Sequence, residues 1–304
     1  MTKQSRTVLE SFQLRKSRKD KKSFRLWLNE QLTDAGYSVT EETGLFSGTN
    51  LLAGDPDSAR IVFCAHYDTQ AVLPFPNFIT PKSLPLYILY QLTILIPLMT
   101  VYFVLVALGL YPLGLIWLSF FVWWMLFGPA NRRTANDNTS GVTALLEIAL
   151  TLPADKREGV LFVFFDNEER GMLGSSAFAS RHKRIKTGVP VINFDCVSDG
   201  ALLQLYPSSG LKKDSWLSAL IESSFEGNGE RSFELVRGFG FYPSDNASFK
   251  ISAGVCALKE GRLLGKRIEY MDRIHTSKDT VFEEENLELI RLGALRLISG
   301  LPSS

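Results

Sequence analysis

Phe24, Trp27, Leu28 and Leu32 recur at helical spacing, with Gly36 as a stop. The pattern predicts a packed helix there and short strands over residues 45–52 and 61–65. It then changes character. From residue 83 to residue 131 there is no charged side chain. Residues 84–110 are long enough to cross a bilayer, which takes about 20 apolar residues. Gly109, Pro112 and Gly114 mark a turn, and residues 113–127 form a second apolar run that is short for a full span. Tyr87, Tyr90, Trp117, Trp123 and Trp124 resemble interfacial anchors. A soluble domain of this size rarely hides two consecutive apolar helices, so the stretch reads as a membrane hairpin rather than a buried pair. Whether it crosses fully or re-enters is left open by the pattern. Pro97 is expected to kink the first helix.

Beyond the hairpin, strand and helix patterns alternate. Helices are expected over 142–152, from 173, over 215–225 and over 284–298. Strands are expected over 159–165, 189–194, 201–206, 233–236 and 254–258. Such alternation argues for a three-layer α/β domain with a largely parallel sheet. The division is then 1–82 for the first part of that domain, 83–130 for the inserted hairpin and 131–304 for the remainder.

A formal net charge of +1 over 304 residues gives no overall field favouring nucleic acid or an acidic substrate. Arg15, Lys16, Arg18, Lys19, Lys21 and Lys22 nevertheless cluster near the N-terminus. They read equally as a patch for anionic headgroups or as a solvated tail or helix face. Residues 1–22 lack the apolar core of a secretory signal. Lys82 precedes the hairpin and Arg132 and Arg133 follow it, so both roots, and the α/β domain with them, are expected on the cytoplasmic side. The three cysteines, Cys64, Cys196 and Cys256, read as buried free thiols.

The candidate chemistry sits in loops at strand ends. The chain has three histidines. His66 lies in His66-Tyr67-Asp68 after a strand, and His275 in His275-Thr276-Ser277-Lys278-Asp279-Thr280. His182, flanked by Arg181, Lys183 and Arg184, reads as a solvated surface residue. Asp137 stands just before the helix from Val142, Glu168 and Glu169 follow the strand ending at Phe165, and Asp195 follows Val-Ile-Asn-Phe. In an open α/β sheet the carboxyl ends of strands converge on one crevice. Two imidazoles and several carboxylates there form a nitrogen and oxygen ligand set suited to zinc, with manganese or cobalt as substitutes. Taken singly, each of these signals has a plain structural explanation: an N-cap, a surface charge, a satisfied pair.

The ordered set resembles a known family. His-x-Asp, Asp-Asn-x-Ser-Gly, Glu-Glu-x-Gly-x-x-Gly-Ser, Asn-x-Asp, Ser-Asp-x-x-x-Phe and His-Thr-x-x-Asp-Thr, in that order, look like the dinuclear zinc aminopeptidases. That family includes bacterial leucyl aminopeptidase, aminopeptidase Y and the glutamate carboxypeptidases. The resemblance implies a zinc-exopeptidase-like αβα fold with a mixed, largely parallel sheet, and a peptide substrate. It implies that His66 and Asp195 hold one zinc, that Glu169 and His275 hold a second, and that Asp137 bridges them. Glu168 would be the general base on a water shared by the metals. Asp68 would accept the second ring N–H of His66, and Asp279 would order the His275 loop. A non-proline cis peptide would join Asp137 to Asn138.

Two features depart from the family pattern. Its Ser-Asp-His is here Ser244-Asp245-Asn246, which alters the wall of the substrate pocket, so Asp245 is carried as a substrate contact. Tyr242 lies about one residue from where the family places a tyrosine that assists the oxyanion. The second departure is the insertion of about fifty residues between His66 and Asp137, enough for two membrane-length helices. It suggests a site close to the membrane surface, fed with hydrophobic or membrane-derived peptides. Two alternatives stay open: a single-zinc glutaminyl cyclase, and a non-catalytic peptide-binding relative that has kept its ligands.

Overall fold

The computed structural model describes residues 1–302. Strands β1 (Val39–Gly44), β2 (Gly48–Ala53), β3 (Ile61–His66), β4 (Val160–Phe165), β5 (Val191–Phe194), β6 (Leu202–Pro207), β7 (Ser232–Leu235), β8 (Ser252–Leu263) and β9 (Lys266–Tyr270) form one mixed sheet. Their order is β1-β2-β4-β3-β5-β8-β6-β7, with β9 paired to β8. The centre is parallel: β3 runs with β4 and with β5, and β5 with β8. The expected fold class is therefore the observed one.

The central strands are apolar at nearly every position because both faces are covered. Ile61, Phe63 and Ala65 of β3 point to one face. There they meet Phe24 and Leu28 of α2 (Arg18–Asp34), Leu145 and Ile148 of α5 (Gly141–Thr151), and Ile290 and Leu297 of α10 (Glu284–Gly300). Leu217 and Ile221 of α9 (Ser215–Ser224) extend the same layer, beside the short α8 (Ser209–Lys213). Val62 and Cys64 point to the other face, against Phe178 of α6 (Leu173–Arg181) and Ile185 of α7 (Lys183–Gly188). Phe63 stacks on Phe162 and on Phe194, both at 6.0 Å between centroids, so the three middle strands share one aromatic seam. All three cysteines are buried and free.

Some expectations need correction. Residues 45–47 are not strand but the turn of a β1–β2 hairpin. Gly48 takes the left-handed conformation at φ 75° there, and Leu45 and Phe46 are left in solvent. β8 is longer than its apolar core, because it folds back on β9 through Leu264 and Gly265, both at positive φ. The basic N-terminus is not a tail, although Arg18, Lys19 and Lys22 of α2 do stand exposed on a helix face. It begins with α1 (Lys3–Ser11), and Arg15 and Lys21 are buried. His182 is not simply solvated: its ring lies 4.4 Å from that of Phe178 and its Nε2 is 2.6 Å from Glu42.

The charge-free stretch forms α3 (Leu84–Ala107) and α4 (Tyr111–Phe127). α3 is 24 residues long with a mean hydropathy of 2.0 in its most apolar window, and none of that window is buried. At 1.5 Å per residue it measures about 36 Å, more than the hydrocarbon core of a bilayer. α4, at 17 residues, is too short for that length test. Only α3, among the described residues, is long and apolar enough to cross a membrane. The helices pack on each other, Gly114 facing the Tyr102 ring and the Trp117 indole donating to the Leu98 carbonyl at 3.2 Å.

Candidate metal centre

β3, β4 and β5 end side by side, and His66 is in register with Phe165. The loops that follow therefore start at one level. His66 is the last residue of β3, Glu168 and Glu169 lie in the turn after β4, and Asp195 follows β5. Asp137 is held in the turn before α5, and His275 lies beyond β9. All five candidate ligands meet. His66 Nε2 is 3.5 Å from Asp137 Oδ1 and 3.4 Å from Asp195 Oδ1. His275 Nε2 is 2.8 Å from Asp137 Oδ2 and 3.3 Å from Glu169 Oε2. Each trio, His66-Asp137-Asp195 and Asp137-Glu169-His275, has its donor atoms within 4.8 Å of one another. The two oxygens of Asp137 thus face different trios.

Neighbouring side chains fix this arrangement. The carboxylate of Asp279 accepts the backbone N–H of Asn136 at 2.7 Å and of Asp137 at 2.9 Å, tying the His275 loop to the Asp137 loop. Asn136 Oδ1 accepts from the N–H of Ser198 and Asp199, and Asn138 Oδ1 from that of Cys196. The Asp137–Asn138 peptide is cis, as the family pattern implied. Gly141 is required where α5 starts, since a Cβ there would lie 2.3 Å from the Phe194 carbonyl oxygen. Asn167, Met172, Cys196 and His275 all hold positive φ in the loops around the site.

Three of the surrounding residues behave differently from expectation. His66 Nδ1 is nearer the backbone carbonyl of Asp68, at 3.2 Å, than its carboxylate, at 3.6 Å. That carboxylate accepts instead the N–H of Glu168 at 3.0 Å and of Glu169 at 3.3 Å. Tyr242 donates its hydroxyl to the Asp195 carbonyl at 3.2 Å, so it buttresses the Asp195 loop rather than offering a free oxyanion donor. Asp245 is wholly buried and has no surface to give a substrate. Its short helical turn packs against β5, β8 and α6, with Ser244 bonded to Asn193.

The electrostatics of these side chains indicate what they are suited to hold. Burial alone would lower the pKa of His66 and His275, yet the carboxylates around them drive both well above the usual imidazole range. Burial pushes Glu168 and Glu169 up, with neighbouring carboxylates adding to it. Asp137 is held low because the two imidazoles outweigh its burial. Glu169 Oε1 is buried without a hydrogen-bond partner. Excess negative charge, imidazoles aimed inward and an unsatisfied carboxylate oxygen fit divalent cations.

Further residues carried no sequence signal for this place. Arg15 is completely buried beneath the site. It donates from Nε to the Tyr67 carbonyl at 2.5 Å and from Nη1 to Thr139 at 3.2 Å. Lys21 pairs with Asp166 and donates to Asn167 at 2.7 Å, just before the Glu168-Glu169 turn. Both roots of the α3–α4 hairpin also border the centre. The N–H of Leu73 donates to the His275 carbonyl at 2.9 Å, and Asn131 donates to the Thr276 carbonyl at 3.0 Å.

The model of peptidase family M28 matches residues 50–297. Among curated proteins no sequence matches the chain. Solved structures share its fold at low identity. A Zn-dependent exopeptidase from Parabacteroides distasonis is 17% identical with a TM-score of 0.64, covering 98% of this chain and 97% of its own. A leucine aminopeptidase precursor from Bacteroides thetaiotaomicron is 16% identical at TM-score 0.61, over 98% and 95%. A glutaminyl cyclase from Porphyromonas gingivalis is 18% identical at TM-score 0.61, over 97% and 96%.

Proposed function

The chain belongs to peptidase family M28, and on that premise we propose that it is a membrane-held zinc aminopeptidase. The observation that carries this reading is the split of Asp137 between two trios of donors. In it, His66 and Asp195 would hold one zinc, Glu169 and His275 would hold another, and Asp137 would serve both. Such ions, when bound, polarise a scissile carbonyl and make water a better nucleophile. Glu168 is the general base: its carboxylate takes a proton from the attacking water and passes it to the leaving amine. Asp68 sets its position by holding the N–H of Glu168 and Glu169.

Membrane attachment is supported by the exposed apolar surfaces of α3 and α4, including Ile88, Leu89, Ile96, Phe103, Ile116 and Trp123. The hairpin's roots lie against the His275 loop, which supports a centre close to the bilayer surface and a preference for hydrophobic or membrane-derived peptides. Lys82 is paired with Glu234 and Glu269, so the cytoplasmic orientation rests on the exposed Arg132 and Arg133.

A second reading, cyclisation of N-terminal glutamine at a single zinc, is favoured by the glutaminyl cyclases among the structural neighbours. Metal analysis of purified protein, paired with a peptide panel that distinguishes N-terminal from C-terminal release, tests both. Two zincs per chain and N-terminal release are expected. Glu168→Gln should keep both metals and lose roughly 10²–10⁴-fold in turnover. One zinc with cyclised product would transfer the assignment to the second reading, and metal-free protein would remove both.

A further inference from the structure

A histidine that ligates a metal through one ring nitrogen needs a partner for the other, which fixes its tautomer and orientation. For His66 that partner lies two residues away, in the carbonyl of Asp68. For His275 it comes from far off in sequence. Its Nε2 faces Asp137 and Glu169, while its Nδ1 lies 3.4 Å from the side-chain amide nitrogen of Asn77. Asn77 lies between β3 and α3, at the foot of the hairpin.

That foot is a strap, residues 72–79, fastened on both sides. Towards the centre, the N–H of Leu73 donates to the His275 carbonyl at 2.9 Å, and Ile79 exchanges backbone hydrogen bonds with Met271 at 2.9 and 3.0 Å. Asn77 is therefore suspended between two anchors on the segment that carries His275. Towards the hairpin, the Trp124 indole donates to the Val72 carbonyl at 3.1 Å and the Tyr90 hydroxyl to that of Pro76. Phe75 stacks on Phe121 and Phe78 packs on Tyr90. Pro74 and Pro76 restrict the strap's own backbone. Both hairpin helices thus grip the piece of chain that presents Asn77.

We propose that Asn77 is a positioning residue for the metal ligand His275, so that the hairpin is a structural part of the metal centre as well as an anchor. With Nε2 given to a metal, Nδ1 carries the ring proton. An asparagine amide can turn its oxygen to accept that proton without changing shape. The strap holds the acceptor in place, and α3 and α4 hold the strap. This inference rests on the two-zinc reading for its metal, but it concerns only one of the two sites.

The test is zinc affinity by chelator competition on the full chain in detergent or nanodiscs, comparing native protein with Asn77→Ala and Asn77→Asp. The expected result is that Asn77→Ala weakens one zinc equivalent about 10–100-fold, the range for a lost outer partner of a metal-bound histidine, and leaves the other unchanged. Asn77→Asp, which keeps an acceptor, should retain native affinity at both. Equal affinities in native and Asn77→Ala protein would overturn the proposal. So would equal weakening of both sites, or an Asn77→Asp variant as weak as Asn77→Ala. Native protein that binds no zinc would instead strike at the aminopeptidase reading. If Asn77→Ala does not fold, Asn77→Ser keeps the comparison with Asn77→Asp.

Discussion

At the scale of single residues, Asp245 is a buried carboxylate whose neighbours, His66 and Ser175, offset its burial only in part. Its carboxylate is fully buried and neither oxygen has a hydrogen-bond partner. Burial raises its pKa to about 7, with Asp68 and Asp195 adding to the rise against His66. The folded state therefore binds a proton that an unfolded aspartate releases near 3.9. The stabilisation from that proton is complete below the unfolded value and is lost as pH rises through 7. In protein stripped of metal, Asp245→Asn should match the native melting temperature near pH 4 and exceed it by a few degrees at pH 8. A calorimetric series across that window checks the sign. A variant less stable at pH 8 would mean that the ionised form has a partner in the fold.

Among elements, the turn after β4 illustrates how a remote helix sets a site. Glu168 and Glu169 follow directly from Asp166 and Asn167, and both of the latter are bonded to Lys21 of α2. The Asp166 carboxylate also accepts the N–H of Thr49 on β2 at 3.0 Å. Lys21→Met would preserve the packing of the stem and leave Asp166 buried and charged without its cation. Removing one partner of a buried pair costs about 3–5 kcal/mol. Denaturant unfolding of the full chain should show a loss of that order, and a loss below about 1 kcal/mol, the scale of a surface pair, would place Lys21 outside the structural framework. The basic cluster around Lys21 had suggested a headgroup patch, or a solvated tail or helix face. Composition alone could not show that Arg15 and Lys21 turn inward, because what draws them in is carbonyl and carboxylate groups from β-strand ends far along the chain.

For the whole molecule, the governing feature is an apolar hairpin rooted beside a polar centre. The outer surfaces of α3 and α4 are exposed and apolar, and such an area in water would favour aggregation. Full-length protein mixed with phospholipid vesicles should float with them in a density gradient and resist carbonate extraction. A chain with residues 84–127 replaced by a short Gly-Ser linker should stay at the bottom. Flotation of that shortened chain would show that another surface carries the attachment. Because Trp124 and Tyr90 brace the 72–79 strap, shortening should also loosen the centre itself.

Much of the site was legible in the sequence because metal chemistry constrains residue type and order tightly. His66, Asp137, Glu169, Asp195 and His275 do converge, as motifs placed at parallel strand ends must. The main strands and helices were legible too, since two buried faces demand continuous apolar runs. Short turns and the β8–β9 extension were not, because their backbone depends on single positive-φ residues and on pairing partners. Tertiary structure alone decided that Tyr242 buttresses a loop, that Asp245 is fully buried and that Asn77 meets His275. Those relations follow from packing between segments far apart in the chain, and local pattern carries no record of which distant surfaces will touch.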